Sequence, residues 1–194
     1  MSSVKSDQLL EILRDGGLTT LPAPVQLASG QWSRYFIDGK EALAAGADLR
    51  LAAEAIWERV AEAGVRFDAV GGLTLGADAL AAAIALVSET NWFIVRKAPK
   101  GRGTDRRIEG ARIGDGDHVL LVDDVVTTGG SILQAFDVVQ ATGAEVVAAV
   151  TLADRGDDAA REFAKRSVPY FPMATYHDLG IPRVGEEQAA ATAG

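Results

Sequence analysis

The sequence predicts an α/β fold with a mostly parallel central sheet flanked by helices. Three observations carry that expectation. Residues 119–122 (VLLV) are an unbroken apolar run of strand length, the pattern of a strand covered on both faces in a parallel sheet. Strand-like and helix-like segments alternate from residue 48 onward, as they do when helices carry the chain between parallel strands. Gly129 and Gly130 follow the apolar run and let the chain turn tightly into a helical pattern.

In order, Ser6 is expected to cap a first helix running to about Arg14, with Leu9, Leu10 and Leu13 on one face. Gly16 and Gly17 end it. Two short strands are expected at 25–28 and 35–37, joined by SGQWS (29–33). Asp48 should open a helix to residue 63, burying Leu51, Ala52, Ala55, Ile56 and Val60, with Gly64 closing it. A buried strand at 67–70 leads into GGLTLG (71–76) and an alanine-rich helix at 78–87. A strand at 92–95 gives way to a basic, glycine-containing loop reaching about residue 112. After the strand at 119–122 come a helix to 142, a strand at 145–153, a helix at 157–165 and a strand at 170–174. Beyond Gly185 the polar, alanine-rich end is expected to fray. With no repeat, linker or second composition zone, residues 1–185 read as one domain.

Composition narrows the function. The chain has 194 residues, enough for one full core, and carries 19 Lys and Arg against 27 Asp and Glu. A net charge of −8 argues against broad binding to nucleic acid or anionic membranes, although a local basic patch remains compatible with it. With no cysteine there is no disulfide, thiolate metal site or cysteine nucleophile. The start, MSSVKSD, lacks an apolar signal core, and no apolar run is long enough to cross a bilayer, so a cytoplasmic protein is expected.

The chemistry centres on VLLVDDVVTTGGS (119–131). Asp123 and Asp124 stand at the end of the apolar run, and Thr127, Thr128, Gly129, Gly130 and Ser131 form the turn, with Ser131 the expected cap of the next helix. Amides at a helix start attract anions, so the turn is suited to a phosphate. It lacks the lysine of a G-x-x-x-x-G-K-[ST] loop, which argues against a nucleotide triphosphatase. Paired carboxylates beside a phosphate cradle can accept hydrogen bonds from vicinal sugar hydroxyls. The bland alternative is an ordinary strand–turn–helix with the acids exposed or on a metal.

This segment resembles the phosphoribosyl-pyrophosphate (PRPP) signature of the type I phosphoribosyltransferases, covering both acids and the whole turn. The resemblance implies that family's fold, a sheet domain with a small amino-terminal hood made of about residues 1–40 and the carboxyl-terminal end. It narrows to the orotate phosphoribosyltransferases at VRKAPKGRG (95–103), followed by IEG, which is similar to their Val-Arg-Lys-x-x-Lys-x-His-Gly loop. Arg96, Lys97, Lys100, Arg102, Arg106 and Arg107 crowd this stretch of an acidic chain, as expected where a polyanion docks. Pro99, Gly101 and Gly103 disfavour a helix there and suit a lid. A solvated or nucleic-acid-binding basic loop is the competing reading. Arg102 replaces the family's histidine and does not titrate near neutrality. VQLASGQWSRYFID (25–38) looks like the hood motif, with Gln31 where arginine is usual and Ala28 where many members carry lysine. GGLTLGAD (71–78) resembles a loop of an actinobacterial branch that faces pyrophosphate; a buried strand-to-helix turn is the competing reading.

By resemblance, Thr74, Arg96, Lys97, Lys100, Arg102, Asp123, Asp124, Val125, Val126, Thr127, Thr128, Gly129, Gly130 and Ser131 would bind PRPP. Phe36, Thr127 and Arg155 would bind orotate, Arg155 through the carboxylate. A surface ion pair of Arg155 with Asp154, Asp157 or Asp158 is the alternative. Lys100, Arg102, Asp123 and Asp124 would carry the catalysis. Mg²⁺ would be held mainly through PRPP, with Asp123 and Asp124 as possible ligands. The implied reaction moves phosphoribosyl from PRPP to orotate, giving orotidine 5′-phosphate and pyrophosphate in pyrimidine biosynthesis. A homodimer with a lid shared across the interface is also implied. Two alternatives stay open: a phosphoribosyltransferase for another nucleobase, and a PRPP-sensing, nucleic-acid-binding regulator without catalysis. His118 and His177 show no partner pattern, and Trp32, Trp57 and Trp92 are assigned to packing.

Overall fold

A computed structural model describes residues 3–27, 29–99 and 106–186. Its centre is a six-stranded sheet in the order β5-β4-β3-β6-β7-β8. The strands are β3 (Ala69–Leu73), β4 (Asn91–Val95), β5 (Ile108–Gly110), β6 (His118–Val126), β7 (Glu145–Asp154) and β8 (Tyr170–Thr175). All neighbours run parallel except β5, which pairs antiparallel with β4. The mostly parallel α/β expectation is met.

Alternation along the strands explains the layers. Val70, Leu120, Val122, Ala148, Val150 and Leu152 face one core, with buried side chains of α1 (Val4–Ile12), α3 (Gly46–Glu62) and α4 (Asp78–Ser88). Val119, Leu121, Val146 and Ala149 face the other, with Ile132, Ala135, Phe136 and Val139 of α5 (Gly130–Gln140) and Ala159 and Phe163 of α6 (Asp158–Lys165). Strands buried on both faces need no polar alternation, which is why 119–122 reads as continuous apolar sequence.

The hood is a separate antiparallel pair, β1 (Leu18–Gln26) and β2 (Trp32–Ile37), followed by the short α2 (Gly39–Ala42). Here the structure corrects several expected boundaries. Ser3, not Ser6, caps α1: the Ser6 amide donates to Ser3 Oγ at 3.2 Å, and residues Leu13–Gly17 form a π-helical turn. Strand β1 starts at Leu18, well before residue 25, because its register breaks between Thr20 and Val25 and lets Pro22 and Pro24 sit where no ladder amide is required. The expected strand end at Ala28 lies outside the described residues. Helix α3 begins at Gly46, with Asp48 inside its first turn. Strand β3 starts at Ala69 and absorbs Gly71 and Gly72. The basic loop hides β5, and α2 carries too few residues to show a period. The tryptophans only half fit a packing role, since Trp32, Trp57 and Trp92 are 44%, 42% and 43% exposed.

Among the described residues, no helix is long and apolar enough to cross a membrane.

Candidate active site

From β3 the chain steps outward to β4, then returns to place β6 on the other side of β3 and steps outward again to β7 and β8. The strand order therefore reverses between β3 and β6, where ligands of open α/β sheets bind beyond the carboxyl ends of the strands. A cavity of about 390 Å³ opens there. Its walls include Leu73, Thr74 and Gly76 after β3, Lys97 after β4, Asp123, Asp124, Thr127 and Ser131 around β6, and Arg155 after β7. The hood closes it with Ser29, Phe36 and Lys40. Four strand ends thus meet in one crevice.

Both acids lie inside β6, not after it, and β6 runs on to Val126. Asp123 is 4% exposed and accepts from the Asp124 amide at 3.0 Å; Asp124 Oδ1 accepts from the Val125 amide at 2.7 Å. One oxygen of each carboxyl is thereby engaged by backbone, which fixes both groups. Burial, and then the neighbouring charge of Asp124, push the Asp123 carboxyl far above the usual carboxylate range. Lys40 Nζ lies 3.4 Å from Asp124 Oδ2 and 3.0 Å from Asp38 Oδ1. Its ammonium is held above its ordinary pKa, first by the Asp38 hydrogen bond, with partial burial opposing and the charge of Asp124 reinforcing.

The loop after β3 presses on this pair. A Cβ on Gly76 would stand 2.4 Å from Asp124 Oδ1 and 2.9 Å from Asp123 Oδ1, so only glycine lets the backbone come so close. The Thr74 hydroxyl donates to Asp78 Oδ2 at 2.8 Å, fastening the loop to the first turn of α4. On the far side, the turn after β6 is capped by Gly129 at φ 79°, not by Ser131, which sits within α5 and lines the crevice.

Arg155 overturns the surface-ion-pair alternative. It is 2% exposed and donates through a guanidinium nitrogen to Ser33 Oγ at 2.8 Å, tying β7 to the hood. Asp157 pairs with Arg183 at 3.2 Å. Beneath it, Tyr170 donates to Asp154 Oδ2 at 2.9 Å, and Asp154 Oδ1 accepts from the Gly156 amide at 3.0 Å. Burial raises the Tyr170 phenol pKa, so the hydroxyl keeps its proton and the bond holds.

Of the residues expected to act, the structure gathers Phe36, Thr74, Lys97, Asp123, Asp124, Val125, Thr127, Ser131 and Arg155 at the crevice. Val126 is buried beneath it, and Thr128, Gly129 and Gly130 shape the turn without lining the cavity. Arg96 points elsewhere: it pairs with Glu109 across the β4–β5 hairpin at 2.9 Å and lines the adjoining hollow with Thr74, Leu75 and Lys97. Lys100, Arg102 and Ala28 lie outside the described residues. Lys40 stands outside the sequence motifs, and Gly76 enters them only as one residue of the 71–78 loop. Only the position of Lys40 two residues beyond Asp38, in the segment that matched the hood motif, could have flagged it.

A family model described as a phosphoribosyl transferase domain matches residues 39–174. The orotate phosphoribosyltransferase of Pyrococcus furiosus is 41% identical over 153 residues, covering 79% of this chain and 84% of that one. The chain belongs to the orotate phosphoribosyltransferase family. The Aquifex aeolicus member is 36% identical over 185 residues, covering 92% of this chain and all of its own length. A Mycobacterium tuberculosis orotate phosphoribosyltransferase crystallised with PRPP superposes with a TM-score of 0.73 at 32% identity, over 91% of this chain and 99% of that one. The mostly parallel α/β fold described above is therefore that of the family.

Proposed function

We propose that the protein transfers phosphoribosyl from PRPP to orotate, releasing pyrophosphate and forming orotidine 5′-phosphate in pyrimidine biosynthesis. The observation that carries this is the convergence, at one crevice, of an acid pair whose Asp123 is buried, a helix-start turn and the buried Arg155. Each suits one part of the chemistry. The amides and hydroxyls from Val126 to Ser131 suit the 5′-phosphate. Asp123 and Asp124 each keep one oxygen outside the backbone bonds to accept from ribose hydroxyls. Arg155, held by Ser33, suits the orotate carboxylate, with Phe36 and Thr127 beside it. Thr74, Lys97 and the adjoining hollow with Arg96 suit the pyrophosphate.

As the bond from the ribose C1 to the pyrophosphate oxygen breaks, its electron pair leaves with pyrophosphate; a ring nitrogen of orotate supplies the pair for the new bond and gives up its proton, which the departing pyrophosphate takes. Positive charge develops on the sugar ring, next to the acid pair. Fixed carboxylates stabilise it without having to reorganise, so catalysis rests on electrostatics and positioning. The cations Lys97, Lys100 and Arg102 offset the charge of the leaving group in this proposal. No covalent nucleophile is required.

Among the described residues no three metal-binding side chains gather in one place. Among the described residues lining the crevice the carboxylates are Asp123 and Asp124, which suits a Mg²⁺ carried on the substrate's phosphates, because that ion is commonly held by one or two carboxylates and phosphate oxygens. So bound, it would neutralise charge on the leaving group. We extend the proposal to a cytoplasmic homodimer. Half-exposed Trp57 and Trp92 and the exposed Leu86 are apolar surface that a second copy could cover.

The test is an assay with PRPP, Mg²⁺ and each of orotate, uracil and adenine. Turnover of orotate alone supports the proposal. Turnover of uracil or adenine without orotate would move the protein to another base, and PRPP binding without any turnover would favour a regulator.

A further inference from the structure

The segment that follows the hood strands reaches the signature acid Asp124 directly. Strand β2 ends at Ile37, and the next residue, Asp38, caps α2, its Oδ1 accepting from the Lys40 and Glu41 amides at 2.9 and 3.3 Å. Gly39 then lets this turn lie directly on the acid pair: a Cβ there would stand 2.9 Å from Asp124 Cβ and 3.3 Å from Leu152 Cδ1. Lys40 follows, and its ammonium bridges Asp38 Oδ1 and Asp124 Oδ2 at 3.0 and 3.4 Å. A cap, a close approach and a bridging cation all converge on Asp124, 84 residues away in sequence.

We propose that Lys40 is a positioning residue for the known family reaction, holding the Asp124 carboxylate from the hood side and offsetting the charge of the acid pair so that a highly anionic sugar phosphate can settle against it. This rests on the reading that PRPP occupies the crevice. PRPP brings phosphate and pyrophosphate charge to a wall already holding two carboxyl groups, and like charges brought together without compensation repel. Lys40 is anchored by Asp38, so it can stay beside Asp124 when the hydroxyls arrive. Its effect should fall on binding and not on the chemical step. In the transition state the ring itself turns positive, and a neighbouring ammonium gives it no added stabilisation. An interaction that assists ground state and transition state alike changes KM and leaves kcat alone.

The experiment is steady-state kinetics of K40M and K40R with orotate saturating and PRPP varied in Mg²⁺, at low and high ionic strength. Lys40's side chain is 55% exposed, so neither substitution threatens the core, and the unfolding midpoint of each variant is measured alongside. K40M should raise the KM for PRPP about tenfold or more with kcat within about threefold of wild type, and high salt should shrink the penalty. K40R, keeping the charge, should recover most of the loss. An unchanged KM in K40M, or a fall in kcat at constant KM, would overturn the inference. A wild-type protein that does not use PRPP at all would instead fail the functional proposal, so the two failures are distinguishable.

Discussion

At the scale of single residues, the buried Asp123 is the group whose environment most departs from water. Its folded-state pKa is pushed up to about 7, by burial first and by Asp124 second, against an ordinary value of 3.8. The native state therefore holds a proton that the unfolded chain releases between about pH 4 and 7. In that window stability falls as pH rises, and above it the full cost of a buried charge is carried. Asp123→Asn removes that cost. The substitution should stabilise the empty protein by roughly 1–4 kcal/mol at pH 8, an advantage that fades to nothing below about pH 4. Thermal unfolding across that range measures it, and an advantage that is constant with pH would contradict the assignment. Residue identity was the part of the site most legible in the sequence. The acid pair, the turn and Arg155 were all found there, because their chemistry is local and their spacing short. Lys40 was not, since its importance comes from a partner 84 residues away. The motif assigns Arg96 to the pyrophosphate; its pairing with Glu109, in the hollow beside the crevice, is a contact that the motif does not show.

At the scale of elements, the loop between β3 and α4 matters through its backbone. Gly76 lies so close to both acid side chains that any Cβ must push Asp124 aside. Gly76→Ala should cost activity by displacing the pair, while the unfolding midpoint falls only modestly because the loop is at the surface of the sheet. Loss of more than tenfold in kcat/KM for PRPP is the expected outcome; wild-type kinetics would show that the close approach is dispensable. The sequence marked this loop as a turn, and nothing in it told how near the loop passes to β6. Element boundaries were misjudged where local signals compete with tertiary ones. Strand β1 carries prolines, which a regular ladder disfavours, at its irregularity, and the three residues of β5 are ordered by pairing with β4.

At the scale of the whole molecule, the strand order decides the outcome. The reversal between β3 and β6 collects side chains from four strands and the hood into one crevice. Alternation of strands and helices made the α/β class legible, because buried parallel strands leave continuous apolar runs. How the hood folds over the strand ends was not legible from any pattern of residues, and only the family resemblance supplied it. The central claim is that the acid pair takes the ribose while the adjoining turn takes its phosphate. Crystals grown with PRPP and Mg²⁺ measure this directly. The expected result is ribose hydroxyls within hydrogen-bond distance of Asp123 and Asp124, with the 5′-phosphate among the amides of residues 127–131. A PRPP molecule bound elsewhere, or one whose hydroxyls leave both carboxyl groups untouched, would contradict it.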